Sequence, residues 1–83
     1  MRPRLALGIL ELQLEELTES EWDATNLEAV VRKCAADLGI KLAELTQPLR
    51  IALTGRTVSM GIFEIMAILG REESLGRISD QTG

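Results

Sequence analysis

Arg50 and Arg56, followed at short range by a helix start capped by Ser59, form the segment of this sequence best suited to chemistry with a ligand. From Gln47 to Phe63 the chain carries these two arginines and no carboxylate. A guanidinium can stack on a splayed base or bond its edge bidentately, and backbone N–H groups at a helix start can meet a phosphate or a base acceptor. In this pattern Ser59 offers a helix cap at that start. Arg56 fits a phosphate contact.

Bond-making chemistry has far less to work with. The sequence holds no histidine, no tyrosine and a single cysteine, Cys34. Ser-His-Asp and Cys-His arrangements, Cys/His metal sites and a disulfide framework are therefore excluded. Glu15, Glu16, Glu19 and Glu21 read as a solvated acidic stretch rather than an acid–base pair, because nothing nearby polarises them. Gly55 to Gly61 has the length of a phosphate-binding loop but lacks the Gly-Lys-Ser/Thr that must follow, so two helix-end glycines explain it better. The domain is expected to bind rather than to catalyse, with no metal and no cofactor of its own.

Charge narrows the choice of partner. The formal net charge is −4, which disfavours a DNA or anionic-membrane binder held by bulk attraction. Residues 1–49 carry five basic and nine acidic side chains, whereas residues 50–83 carry four of each. The acidity lies in the first half, and an anion-facing surface belongs in the second. The apolar run after Arg4 is cut by Glu11, so neither a signal peptide nor a membrane span is expected, and Cys34 reads as a buried thiol in a reducing cytoplasm.

The elements that must position these residues are helical, since the periodic segments are rich in Leu, Ala and Glu. The sequence predicts a single all-α domain over residues 1–83, a small bundle of about five helices. A first helix over Leu5–Leu17 is followed by an acidic connector, Thr18–Asp23, that Trp22 anchors on the core. Thr25 to Glu28 fits a capping box for a second helix, whose Leu27, Val30, Val31, Cys34 and Leu38 share a face up to Gly39. Thr46 and Pro48 predict the start of a short third helix, Pro48–Thr54, closed by Gly55. Ser59 caps a fourth helix from Met60 to Leu69, apolar nearly all round and therefore expected at the centre of the bundle. Arg71–Ile78 forms the last helix, weakened by Gly76, and Asp80–Gly83 is expected to fray.

The same residues resemble a known family. Gly39-Ile40-Lys41-Leu42, Gln47-Pro48-Leu49-Arg50-Ile51-Ala52-Leu53-Thr54-Gly55, Ser59-x-Gly61-Ile62-Phe63-Glu64 and Leu69-Gly70-Arg71-Glu72, with Leu75 and Arg77-Ile78, are similar in order and spacing to the C-terminal anticodon-binding region of bacterial-type glutamyl-tRNA synthetase. Trp22 and the Leu27–Leu38 helix fit the preceding segment, so the resemblance covers about residues 22–78. It implies an all-helical domain of class I synthetase type, docking on the anticodon loop of tRNA(Glu) as a fragment of a longer ligase. ATP and Mg2+ are implied only for that full-length enzyme, in a catalytic domain of the same synthetase with HIGH-like and KMSKS-like signatures, of which a chain without histidine cannot hold the first. Carried over by position, the resemblance implies that Arg50 contacts anticodon nucleotides and that Ser59, Met60, Gly61 and Ile62 pack against those bases. Met60 departs from the family's usual proline. Arg77 matches a family arginine, with a solvent-exposed or structurally paired charge as the competing reading. The other class of function left open is a helical protein-interaction or oligomerisation module, motivated by the amphipathic Leu5–Leu17 segment.

Overall fold

A computed structural model describes residues 3–55 and 61–82. The elements run α1 (Pro3–Leu14), a 3-10 turn (Glu19–Glu21), α2 (Ala24–Leu38), α3 (Leu42–Thr54), α4 (Ile62–Leu69) and α5 (Arg71–Thr82). Among the described residues all the regular structure is helical, as the composition implies. The radius of gyration of 11.3 Å is close to the roughly 12 Å expected of a folded chain this long.

The helix that meets all the others is α3, not α4. Ala6, Leu7, Leu10 and Leu14 are buried, and α1 packs against α2, α3 and α5. At eight residues α4 spans only about 12 Å. It turns Ile62 and Met66 inward and leaves Ile68 71% exposed. A lone exposed isoleucine is no extended patch, so the apolar composition of α4 does not force it to the middle. The first helix ends at Leu14, and Leu17 closes the following turn by donating its N–H to the Leu14 carbonyl at 3.0 Å.

The acidic connector is ordered by its own hydrogen bonds. Glu21 Oε1 accepts from the Thr18 N–H at 2.9 Å and from the Thr18 hydroxyl at 3.0 Å. Both bonds favour the ionised form, the backbone one more strongly, and hold the Glu21 carboxyl below the usual carboxylate range. Asp23, rather than Thr25, caps α2 by accepting from the Asn26 N–H at 2.8 Å. Held from both sides, Trp22 is buried and donates its indole N–H to the Met66 carbonyl at 2.9 Å. On α2, Leu27, Val31 and Cys34 are buried as the spacing predicts. Burial first, and the Asp37 charge second, push the Cys34 thiol up.

The third helix begins six residues before Pro48, at Leu42, and the proline sits inside it. Thr46 and Pro48 look locally like a helix start, because proline suits a first turn. Inside a helix the ring removes the bond to the carbonyl four residues back, here that of Glu44, at a cost of about 3 kcal/mol. Burial of Leu45, Leu49 and Leu53 on one face, with Glu44 accepting from the Lys41 N–H at 3.2 Å at the helix start, offsets that cost.

A single glycine joins α4 to α5. Gly70 donates to the Met66 carbonyl at 3.0 Å and accepts from the Ser74 N–H at 3.1 Å, closing one helix and opening the next. Its φ of 88° and ψ of 169° lie where side chains are strongly disfavoured. From this joint α5 runs on to Thr82, past the expected end at Ile78, and Thr82 donates to Glu11 of α1 at 3.1 Å. Three side chains of α5 reach the carbonyl ends of three other helices. Arg71 donates to the Leu17 carbonyl at 2.8 Å and the Glu15 carbonyl at 2.9 Å, just beyond α1. Ser74 donates to Met66 of α4 at 3.3 Å, and Arg77 donates to Leu53 in the last turn of α3.

Replacing Trp22→Phe should cost about 1–3 kcal/mol in urea unfolding, because it strips a buried donor from the Met66 carbonyl as well as apolar volume. Arg77→Met, which keeps the stem but loses the bond to Leu53, should cost about 0.5–1.5 kcal/mol in the same assay. A denaturation midpoint unchanged by either substitution would contradict the role given to that side chain.

Candidate nucleic-acid interface

The interface proposed from sequence falls where α3 ends and α4 begins. On α3, Leu45, Leu49 and Leu53 face the core. Helical geometry therefore turns Gln47, Arg50, Ile51 and Thr54, at i, i+3, i+4 and i+7, onto one outward flank. Gln47 and Ile51 are exposed, while Arg50 and Thr54 are half-buried. The Thr54 hydroxyl donates to the Arg50 carbonyl at 2.8 Å, fixing the last turn beneath the arginine.

Gly55 ends α3 in the left-handed region, with φ 72°, and its N–H bonds the Ile51 carbonyl at 2.8 Å. Here glycine is required by the backbone, since other residues pay for positive φ. Arg77 covers the Leu53 carbonyl and is held at its other edge by Glu73, 3.4 Å away. The paired structural reading of Arg77 is the one seen. Its charge also lies at the negative end of the α3 dipole, the end that would otherwise repel a phosphate.

The start of α4 differs from expectation in two respects. Gly61, not Ser59, is the cap residue, its carbonyl accepting from the Ile65 N–H at 3.1 Å. Its φ of −64° is open to any residue, and an added Cβ would approach only the flexible Glu64 side chain, at 3.8 Å. Close approach by a ligand, not backbone strain, is what a glycine allows there. Ile62 is only 3% exposed and belongs to the core, so its side chain offers no platform to a base. The 3.6-residue period explains this, because Ile62 and Met66 share the inward face of a short helix. Arg56, Ser59 and Met60 lie outside the described residues.

Thus the structure places Arg50 and Gly61 at the surface flanking the same connection and removes Ile62 from it. Ile51, which sequence reasoning passed over, is 59% exposed on the flank that carries Arg50. Its signal was available in the sequence as an apolar residue out of phase with Leu45, Leu49 and Leu53. Among the described residues no group of three or more His, Cys, Asp or Glu side chains is placed to hold a metal ion. No described helix is long and apolar enough to cross a membrane.

Comparison with known proteins identifies the family of the whole chain. Residues 3–82 match the family described as "Anticodon binding domain". Glutamate–tRNA ligase of Rhodopseudomonas palustris (strain BisB5) is 51% identical over 78 residues, covering 94% of this chain and 16% of the relative. Glutamate–tRNA ligase 2 of Chelativorans sp. is 61% identical over 77 residues, covering 92% of this chain and 16% of the relative. A second enzyme of that name, from Rhizorhabdus wittichii, is 60% identical over 63 residues, or 76% of this chain and 13% of its own length. The chain thus spans about a sixth of the length of the curated relatives it matches. With its described regular structure all helical and a family match running almost end to end, the chain belongs to the anticodon-binding domain family, homologous to a part of glutamate–tRNA ligases.

Proposed function

We propose that this domain reads unstacked bases in the anticodon loop of tRNA(Glu), as the C-terminal part of a cytoplasmic glutamate–tRNA ligase. The observation that carries this reading is the carboxylate-free stretch from Gln47 to Phe63, which sets Arg50 on the outer flank of α3 beside the connection to α4. Single-stranded RNA loops present base faces and edges together, and an arginine beside exposed backbone suits both. Arg50 takes the base contact, Ser59, Met60 and the Gly61 backbone line the pocket, and Arg56 meets a phosphate. Ile62 supports the pocket from within the core.

The domain's task in this reading is binding, and it needs no cofactor. ATP and Mg2+ serve the catalytic domain of the same ligase, which attaches glutamate to the tRNA outside this chain. That larger body is also the partner proposed for α1. Leu5 is 58% and Leu12 66% exposed there, beside a cleft of about 710 Å3 lined by Arg4, Gly8, Ile9 and Thr82 as well. The same face supports the second reading, a helical protein-interaction or oligomerisation module without RNA binding. Neither DNA nor a membrane is proposed as a partner.

In a glutamate–tRNA ligase carrying this domain, Arg50→Ala should lower kcat/KM for tRNA by an amount equivalent to about 1–3 kcal/mol, the range of a good arginine–base contact. Arg56→Ala should instead reduce the salt dependence of tRNA binding while leaving base preference in place. Unchanged aminoacylation kinetics for Arg50→Ala would remove that residue from the interface and favour the protein-interaction reading.

A further inference from the structure

Among the described residues beside the α3–α4 connection, Ile62 is buried and Ile51 is the large apolar side chain left exposed on the flank that carries Arg50. We infer that Ile51 is a specificity-determining residue of this interface, providing the apolar contact for an unstacked anticodon base beside Arg50; the inference rests on the function proposed above. Ile51 is 59% exposed although it lies in the middle of an amphipathic helix with a complete inward face of Leu45, Leu49 and Leu53. It is therefore not required by the core.

Its neighbours make the position more than a stray surface isoleucine. Gln47 lies one turn before it and Thr54 one turn after it, with Arg50 alongside, so an apolar centre is framed by an amide, a hydroxyl and a guanidinium. A base has the matching chemistry, with an apolar face and a hydrogen-bonding edge. Gln47 to Phe63 carries no carboxylate, the flanking acids being Glu44 one turn before Gln47 on α3 and Glu64 beside Gly61. A duplex, whose bases are stacked and paired, cannot use such a seat. Contact with Ile51 therefore adds to the preference for a loop over a stem at equal charge that the Arg50 base contact provides.

The test is fluorescence anisotropy with the 83-residue chain, using a labelled tRNA(Glu) anticodon stem-loop and a fully paired hairpin of equal phosphate number. Ile51→Ser should weaken loop binding about tenfold, leave hairpin binding and the salt slope unchanged, and preserve the unfolding midpoint; Ile51→Leu should restore binding. If Ile51→Ser binds the loop like the unsubstituted chain while Arg50→Ala does not, the seat is wrong and the anticodon reading stands. Equal losses on loop and hairpin overturn the base contact as well. If neither Ile51→Ser nor Arg50→Ala changes loop binding, or the unsubstituted chain does not prefer the loop, the anticodon reading fails and takes the seat with it.

Discussion

Every α-helix ends with carbonyl groups that have no partner inside it, and in a domain this small those ends crowd the few surfaces where helices meet. The constraint is met largely from one element. Arg71, Ser74 and Arg77, three residues apart along α5, deliver hydrogen bonds just past the end of α1, to the last turn of α4 and to the last turn of α3. Trp22 adds a second side-chain donor to the Met66 carbonyl, which the Gly70 N–H also reaches. Polar bonds to buried or half-buried carbonyls are directional, whereas apolar contacts are not. They fix how the helices meet, while the leucines of α1, α2 and α3 supply most of the burial.

The same arrangement shapes the surface proposed to face RNA. An anion approaching the end of α3 meets a negative dipole end, a poor starting point for a nucleic-acid site. Arg77, paired with Glu73, sits on a carbonyl of that end and satisfies it, while Arg50 lies one turn earlier on α3. A net charge of −4 is compatible with RNA binding under these conditions because the acids are concentrated in the first half of the sequence. Binding of this kind depends on local shape and base contact more than on overall attraction.

Much of this was legible from residue spacing. The leucine and valine period of α2, its stop at Gly39, the burial of Cys34 and the anchoring role of Trp22 all follow from local patterns, and the structure has each of them. Local signals misled where tertiary packing outweighed them. Thr46 and Pro48 form a plausible helix start, but burial of Leu45 carries α3 back to Leu42 despite the proline. The composition of α4 implied a central helix, yet its length limits it to two buried side chains. The site shows the same division. Motif order pointed to the α3–α4 connection, but which face each residue presents is a property of helix phase, and among the described residues it buries Ile62 and exposes Ile51. The reach of Arg71 to Glu15 and Leu17 has no signature in sequence, because the partners are more than fifty positions apart.

The central claim is that the flank of α3 and the start of α4 together meet an anticodon loop. Mapping amide and side-chain shifts of the isotope-labelled domain during titration with a tRNA(Glu) anticodon stem-loop, against a scrambled-loop control, tests it most directly. The account predicts shifts confined to Gln47 through Gly55 and Arg56 through Ile62 that the control does not reproduce, with α1 and the exposed face of α2 unmoved. Shifts centred on Leu5, Ile9 and Leu12, or shifts of equal size with both loops, would contradict it.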